Sequence, residues 1–112
     1  MGVGNAHLSN VKVAKNEERF TPGKASTGAL SKWLETEKQR LRVVKYPSGY
    51  QADHVCYDGH AFYVVSGTIK IEMGADLTER EAGDAFIITD EVPHRVVNPF
   101  DDDAEVVVAD QG

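Results

Sequence analysis

Four side chains in the middle of the sequence carry most of its chemical potential. His54, Cys56 and His60 form an H-x-C-x3-H cluster, and His94 follows well downstream. Imidazole nitrogens and a cysteine thiolate suit zinc, nickel, iron or copper far better than magnesium or calcium. In an extended strand, residues i and i+2 share a face, so His54 and Cys56 can present their side chains together. Asp58-Gly59 marks a turn that can return His60 to the same sheet, and His94 would approach from a different strand. The spacing matches no zinc-finger pattern. A buried thiol beside hydrogen-bonded histidines is therefore the competing account. His7 stands apart in a polar stretch and is assigned no role.

The elements that must position these residues read as strands. Residues 40–46 alternate, with Leu41 and Val43 on one face, and stop at Pro47-Ser48-Gly49. Residues 61–65 end at the turn dipeptide Ser66-Gly67, and residues 68–73 alternate cleanly, with Ile69, Ile71 and Met73 on one side. Shorter strands are predicted over 77–81, 85–89, 94–98 and 105–109. Short strands at intervals of about 8–12 residues predict an all-β sandwich or small barrel. Residues 1–30 read as a polar N-terminal arm with one short strand, packing on the barrel or on a partner subunit, and residues 31–112 as the barrel domain. Leu30, Trp33, Leu34 and Leu41 suit a helical face, although the polar residues between them also suit an exposed strand; a short helix or turn is the expectation there.

Other candidates are weaker. Phe62 and Tyr63 adjoin the cluster as substrate-contact residues, and alternation lets only one of them face inward. Glu91 reads as a solvated turn carboxylate rather than a general base, and Asn98 as the anchor of a backbone turn. The run Asp101, Asp102, Asp103 lacks the spacing of a calcium loop and reads as solvated.

Composition sets the outer limits. The chain has 112 residues, 12 Lys and Arg against 18 Asp and Glu, and a net charge of −6. That length suits one domain. The acidic balance argues against nucleic acid and against anionic membranes as partners. One cysteine forbids an internal disulfide, and the first residues lack the pattern of a signal peptide, so a cytoplasmic location is expected. No apolar run approaches the roughly 18 residues of a spanning helix. Ala6 stands where a myristoylation signal at Gly2 would want Ser or Thr.

Residues 49–98 resemble the cupin superfamily, whose two motifs are G-x5-H-x-H-x3,4-E-x6-G and G-x5-P-x-G-x2-H-x3-N. Gly49, His54, Cys56, His60 and Gly67 follow the first, with the opening glycine one residue closer than usual. Gly83, Thr89, Glu91, His94 and Asn98 follow the second without a gap. The resemblance implies a double-stranded β-helix, or jelly-roll, barrel. It also implies a divalent metal held at the positions of His54, Cys56, His60 and His94. Cys56 replaces the usual second histidine and His60 the usual glutamate, and both remain competent ligands. Thr89 and Glu91 stand where proline and glycine are usual.

Two arrangements of that altered site lead to different functions. Three histidines with Cys56 off the metal leave open positions, as in the three-histidine iron sites of cupin dioxygenases, and imply a dioxygenase, isomerase or lyase acting on a small polar molecule. Four ligands including Cys56 close the shell and imply a structural, binding or sensing module. Zinc, nickel and iron are the metals expected. The resemblance further implies a homodimer.

Overall fold

The computed structural model describes residues 15–22, 28–52 and 55–111 of the chain. Among the described residues there are nine strands, in the order β1 (Lys15–Pro22), β2 (Leu30–Glu35), β3 (Gln39–Tyr46), β4 (His60–Ser66), β5 (Thr68–Met73), β6 (Asp76–Glu81), β7 (Ala85–Ile88), β8 (Arg95–Val97) and β9 (Ala104–Gln111). They make two sheets, β1-β2-β3-β9-β4-β7 and β6-β5-β8, and every pairing is antiparallel. The all-β class and the strand spacing follow the sequence closely. Among the described residues, hydrogen bonding joins each sheet internally, and edge strands β6 and β7 do not pair with each other.

The segment expected to form a helix or turn is instead strand β2. It pairs with β3 at every position from Leu30↔Lys45 to Glu35↔Arg40. The ladder places Trp33 and Leu34 on opposite faces, and that cross-strand pairing overrides the helical spacing of the apolar residues. Only the connection to β3 turns, with the Thr36 amide donating to the Gln39 carbonyl at 2.8 Å. Strand β1 pairs with β2 and so lies at the edge of the larger sheet.

One apolar core lies between the sheets. Val64, Ile69, Ile71, Val106 and Val108 are fully buried, and they come from β4, β5 and β9. Removing a side chain of this size from water is worth about 1.5–3 kcal/mol, so this alternating set supplies much of the drive to pair the sheets. Gly67 fixes the turn from β4 to β5. Its φ is +77°, and a Cβ there would sit 2.5 Å from the Asp103 carbonyl oxygen, so both conformation and space demand glycine.

Asn98 performs the turn role expected of it. It is completely buried, its Nδ2 donates to the carbonyls of Tyr46 and Asp102, and its Oδ1 accepts from the Phe100 amide. The acidic loop that follows is exposed, and Asp103 accepts a bond from the Ser48 amide at 3.0 Å.

Candidate metal centre

Cys56, His60 and His94 converge. Their ligand atoms lie within 4.8 Å of one another, and Cys56 Sγ stands 3.4 Å from His60 Nε2. Backbone pairing sets this meeting up. The Cys56 amide donates to the His94 carbonyl at 2.8 Å, and the His94 amide returns the bond at 2.9 Å. The stretch before Cys56 runs beside β8 in the same way, with the Ala52 amide bonded to the Val96 carbonyl and the Asn98 amide to the Tyr50 carbonyl. His60 opens β4 in the opposite sheet, and its ring meets that of His94 edge-on at 5.4 Å. His54 lies outside the described residues.

Each histidine has one nitrogen already engaged. His94, only 3% exposed, directs Nδ1 at the Val92 carbonyl at 2.9 Å. His60 Nδ1 lies 2.6 Å from Asp110 Oδ1, close but off the ring N–H axis. Both rings therefore keep Nε2 for the site. Outer partners of this kind fix the ring and the tautomer of metal-binding histidines. Tetrahedral zinc, with bonds of about 2.0–2.3 Å, sets its ligand atoms about 3.3–3.8 Å apart. The Sγ–Nε2 pair already meets that spacing, and the set as a whole is about 1 Å wider at most. The donor set fits a borderline divalent metal.

Asp110 is the residue that sequence reasoning missed. It receives Arg42 through both Nε and Nη2, at 2.8 and 2.9 Å, and Arg40 Nε at 2.7 Å. Burial alone would push its carboxyl up, but the contacts with His60, Arg42 and Arg40 outweigh that and hold it well below the usual carboxylate range. Alternation was the available signal. Val106 and Val108 are buried on β9, so period two sends Asp110 inward with them. The same logic on β3 sends Arg40 and Arg42 inward with Val44 and Tyr46, while Leu41 is left 47% exposed on the outer face.

The donors border a cavity of about 230 Å³, whose walls include Arg42, Tyr46, Tyr50, Phe62 and Arg95. Tyr46 and Tyr50 pack with ring centroids 5.0 Å apart, and burial pushes the Tyr46 hydroxyl well above the usual tyrosine range, so it is a neutral donor. Phe62 is buried and meets both histidine rings edge-on. Tyr63 is 47% exposed on the other face of β4 and does not line the cavity. Glu91 is also exposed and away from the cavity, at φ +69°. The backbone there occupies the left-handed region that explains why the cupin motif prefers glycine.

Two antiparallel sheets with histidine and cysteine donors gathered between them define the class: an all-β scaffold with a donor cluster suited to a metal. The model of the cupin domain family matches residues 43–110, more than half of the chain, and the protein belongs to that family. Solved structures agree on the fold. The polyketide cyclase RemF from Streptomyces resistomycificus superposes with a TM-score of 0.70 at 16% identity, covering 87% of this chain and 72% of that one. KdgF from a Halomonas species gives 0.70 at 21%, over 84% and 86%. A cupin 2 conserved barrel domain protein from Salinispora arenicola gives 0.68 at 13%, over 84% and 88%. No curated protein matches by sequence. Among the described residues, no helix is long and apolar enough to cross a membrane.

Proposed function

We propose that the protein is a small metal-dependent cupin enzyme that acts on a small polar molecule held in the cavity. In this reading the sheets close around the site as a barrel, and His60, His94 and Cys56, with His54 as a further donor, hold one zinc, nickel or iron ion. The convergence of three donor atoms on the wall of a polar cavity carries the reading. When bound, the metal supplies Lewis-acid or redox chemistry. The chain's own residues do the rest. Asp110 and Val92 orient the two imidazoles, Tyr46 and Tyr50 offer hydroxyls to a substrate, and Phe62 walls the site with an apolar ring. Arg42 commits Nε and Nη2 to Asp110, which leaves Nη1 for an anionic or carbonyl oxygen. Oxidative cleavage by a dioxygenase and rearrangement by an isomerase or lyase both suit such a pocket. The fold itself hosts both.

One observation favours a second reading. Cys56 Sγ stands only 3.4 Å from His60 Nε2, close enough to share a metal, and a thiolate in the shell would close it for a structural or sensing role. Elemental analysis of untagged protein with Cys56→Ser and His60→Ala variants separates the two. One metal per chain, lost with His60→Ala and kept with Cys56→Ser, supports the open site and the enzyme. Loss in both variants supports the closed shell. Wild-type protein without metal after reconstitution overturns both.

The same reading includes a homodimer, formed through the outer face of the larger sheet. Strand register aligns Leu34, Leu41, Ala109, Ala61 and Ile87 in one row, and Val43, Val107, Tyr63 and Ala85 in the next. Ile87 is 74% exposed. Five strands about 4.8 Å apart make a face roughly 24 Å wide, and monomers rarely expose continuous apolar patches beyond a few hundred Å². A second copy offers the same rows, in which Lys32, the β2 partner of Val43, is the one charged residue. Sedimentation should show a dimer at micromolar concentration and a monomer for Tyr63→Lys; a monomeric wild type overturns the assembly.

A further inference from the structure

A second cavity, of about 180 Å³, lies where β5, β6 and β7 come together and adjoins the donor site, since its Ile88 pairs with His60 and its Val92 carbonyl faces His94 Nδ1. It shares no lining residue with the first. Ile71, Met73, Phe86, Ile88 and Val92 make it apolar, and Arg80 is the one charged residue in its wall. Arg80 is unusual in this chain. Each of the other four arginines has a carboxylate within 4 Å, namely Arg19 on Glu17, Arg40 and Arg42 on Asp110, and Arg95 on Glu72. Among the described residues Arg80 has none. Its guanidinium carbon lies 4.9 Å from the centre of the Phe86 ring, and its Nε is buried without a hydrogen-bond partner; the Arg95 Nε is likewise unpartnered, but that guanidinium meets Glu72 through Nη2.

An enclosed, unpaired N–H costs about 1–3 kcal/mol, and native structures rarely carry one without a use. An inward charge on an edge strand also discourages strand-to-strand aggregation, and β6 is an edge. That role asks only for a solvated head group. It explains neither the covered Nε nor the placement over Phe86. Thr78 lines the same cavity two residues along β6, so alternation brings its hydroxyl to the same face as Arg80.

We propose that this cavity is a binding site for a small apolar monocarboxylate. The hydrocarbon or aryl body sits among Ile71, Phe86, Ile88 and Val92, and the carboxylate meets the Arg80 fork and the Thr78 hydroxyl. Arginine pairs with planar carboxylates through two parallel bonds, and doing so gives Nε the acceptor it lacks. The cavity holds the volume of about six waters in the liquid, which suits a body of benzoate size. The site does not depend on the metal reading.

Calorimetric titration of the full chain with benzoate, benzamide and acetate tests this, run on zinc-loaded and EDTA-stripped protein. Benzoate should bind saturably, at least about ten-fold tighter than its neutral amide or acetate, in both metal states. Arg80→Gln should weaken benzoate about ten-fold or more, and Met73→Trp should do the same by filling the cavity with Arg80 intact. Benzoate binding that disappears with the metal, or that equals benzamide binding, or that persists undiminished in Arg80→Gln, overturns the site. Absence of saturable binding at millimolar benzoate overturns it as well.

Discussion

The two cavities stand on either side of one aromatic pair. Phe62 and Phe86 stack with centroids 4.7 Å apart and planes 9° from parallel; Phe62 lines the donor cavity and Phe86 the apolar one. Both walls are built by the same rule, the inward positions of alternating strands, yet their electrostatics differ. On the donor side one carboxylate, Asp110, stands within hydrogen-bonding distance of two arginines and an imidazole. On the other side one guanidinium faces hydrocarbon with no counter-ion among the described residues. The donor side therefore offers a metal soft N and S ligands rather than negative charge, whereas the other side offers a cation with no counter-ion nearby. Which side chain occupies an inward position thus gives one core two walls of different electrostatic character.

Removing the partition should have the largest effect. Phe62→Ala deletes a buried ring that touches both histidines and Phe86, and such truncations cost about 3–5 kcal/mol. Denaturant unfolding monitored by circular dichroism reads this directly. A loss below about 1 kcal/mol would mean that the two sides do not depend on a common wall. The Asp110→Asn variant acts on the donor side alone. It keeps the shape, withdraws the charge that faces His60 Nδ1, and leaves Arg40 and Arg42 without their carboxylate. Loss of an outer partner typically lowers metal affinity about 10–100-fold. Competition against a chelating dye should show that drop for zinc, with benzoate affinity unaltered. Wild-type zinc affinity in this variant would show that Asp110 serves only the arginines.

Much of this arrangement is legible in the sequence because strand alternation and glycine turns are local signals. Strands β4 to β9 fall where turn dipeptides bracket alternating residues, and the spacing around His54, Cys56, His60 and His94 singles out the region that gathers donors. Strand β2 was illegible for a physical reason. Its apolar residues follow no clean alternation, and its conformation is imposed by pairing with β3, which is a tertiary fact. Asp110 was missed because its importance comes from β9 lying between β3 and β4, which puts it beside Arg42 and His60 at once. Arg80 was hidden similarly. Only the assembled sheets show that an edge-strand arginine lacks a carboxylate and faces an apolar wall. Between Phe62 and Tyr63, alternation predicts opposite faces, and the buried partners of β4 decide which is inward.

The smallest expected effect concerns the loop that serves both cavities. Between β7 and β8 it supplies Val92 to the apolar pocket and His94 to the donors, and Val92 also receives the His94 Nδ1 bond. Glu91 directly precedes Val92 at φ +69°, its amide held by the Tyr57 carbonyl at 2.9 Å, so the left-handed turn is enforced by the surrounding structure. A residue with a Cβ gives up about 1–2 kcal/mol in that conformation. Glycine relieves that strain and loses part of the gain to the greater freedom of the unfolded chain. Glu91→Gly should therefore stabilise the fold by about 0.5–1 kcal/mol in denaturant unfolding, with zinc and benzoate affinities unchanged because the backbone path is kept. A stabilised variant that loses affinity at either cavity would show instead that the strained turn holds the loop in place for that cavity. Unequal losses would identify which of Val92 and His94 depends on it more.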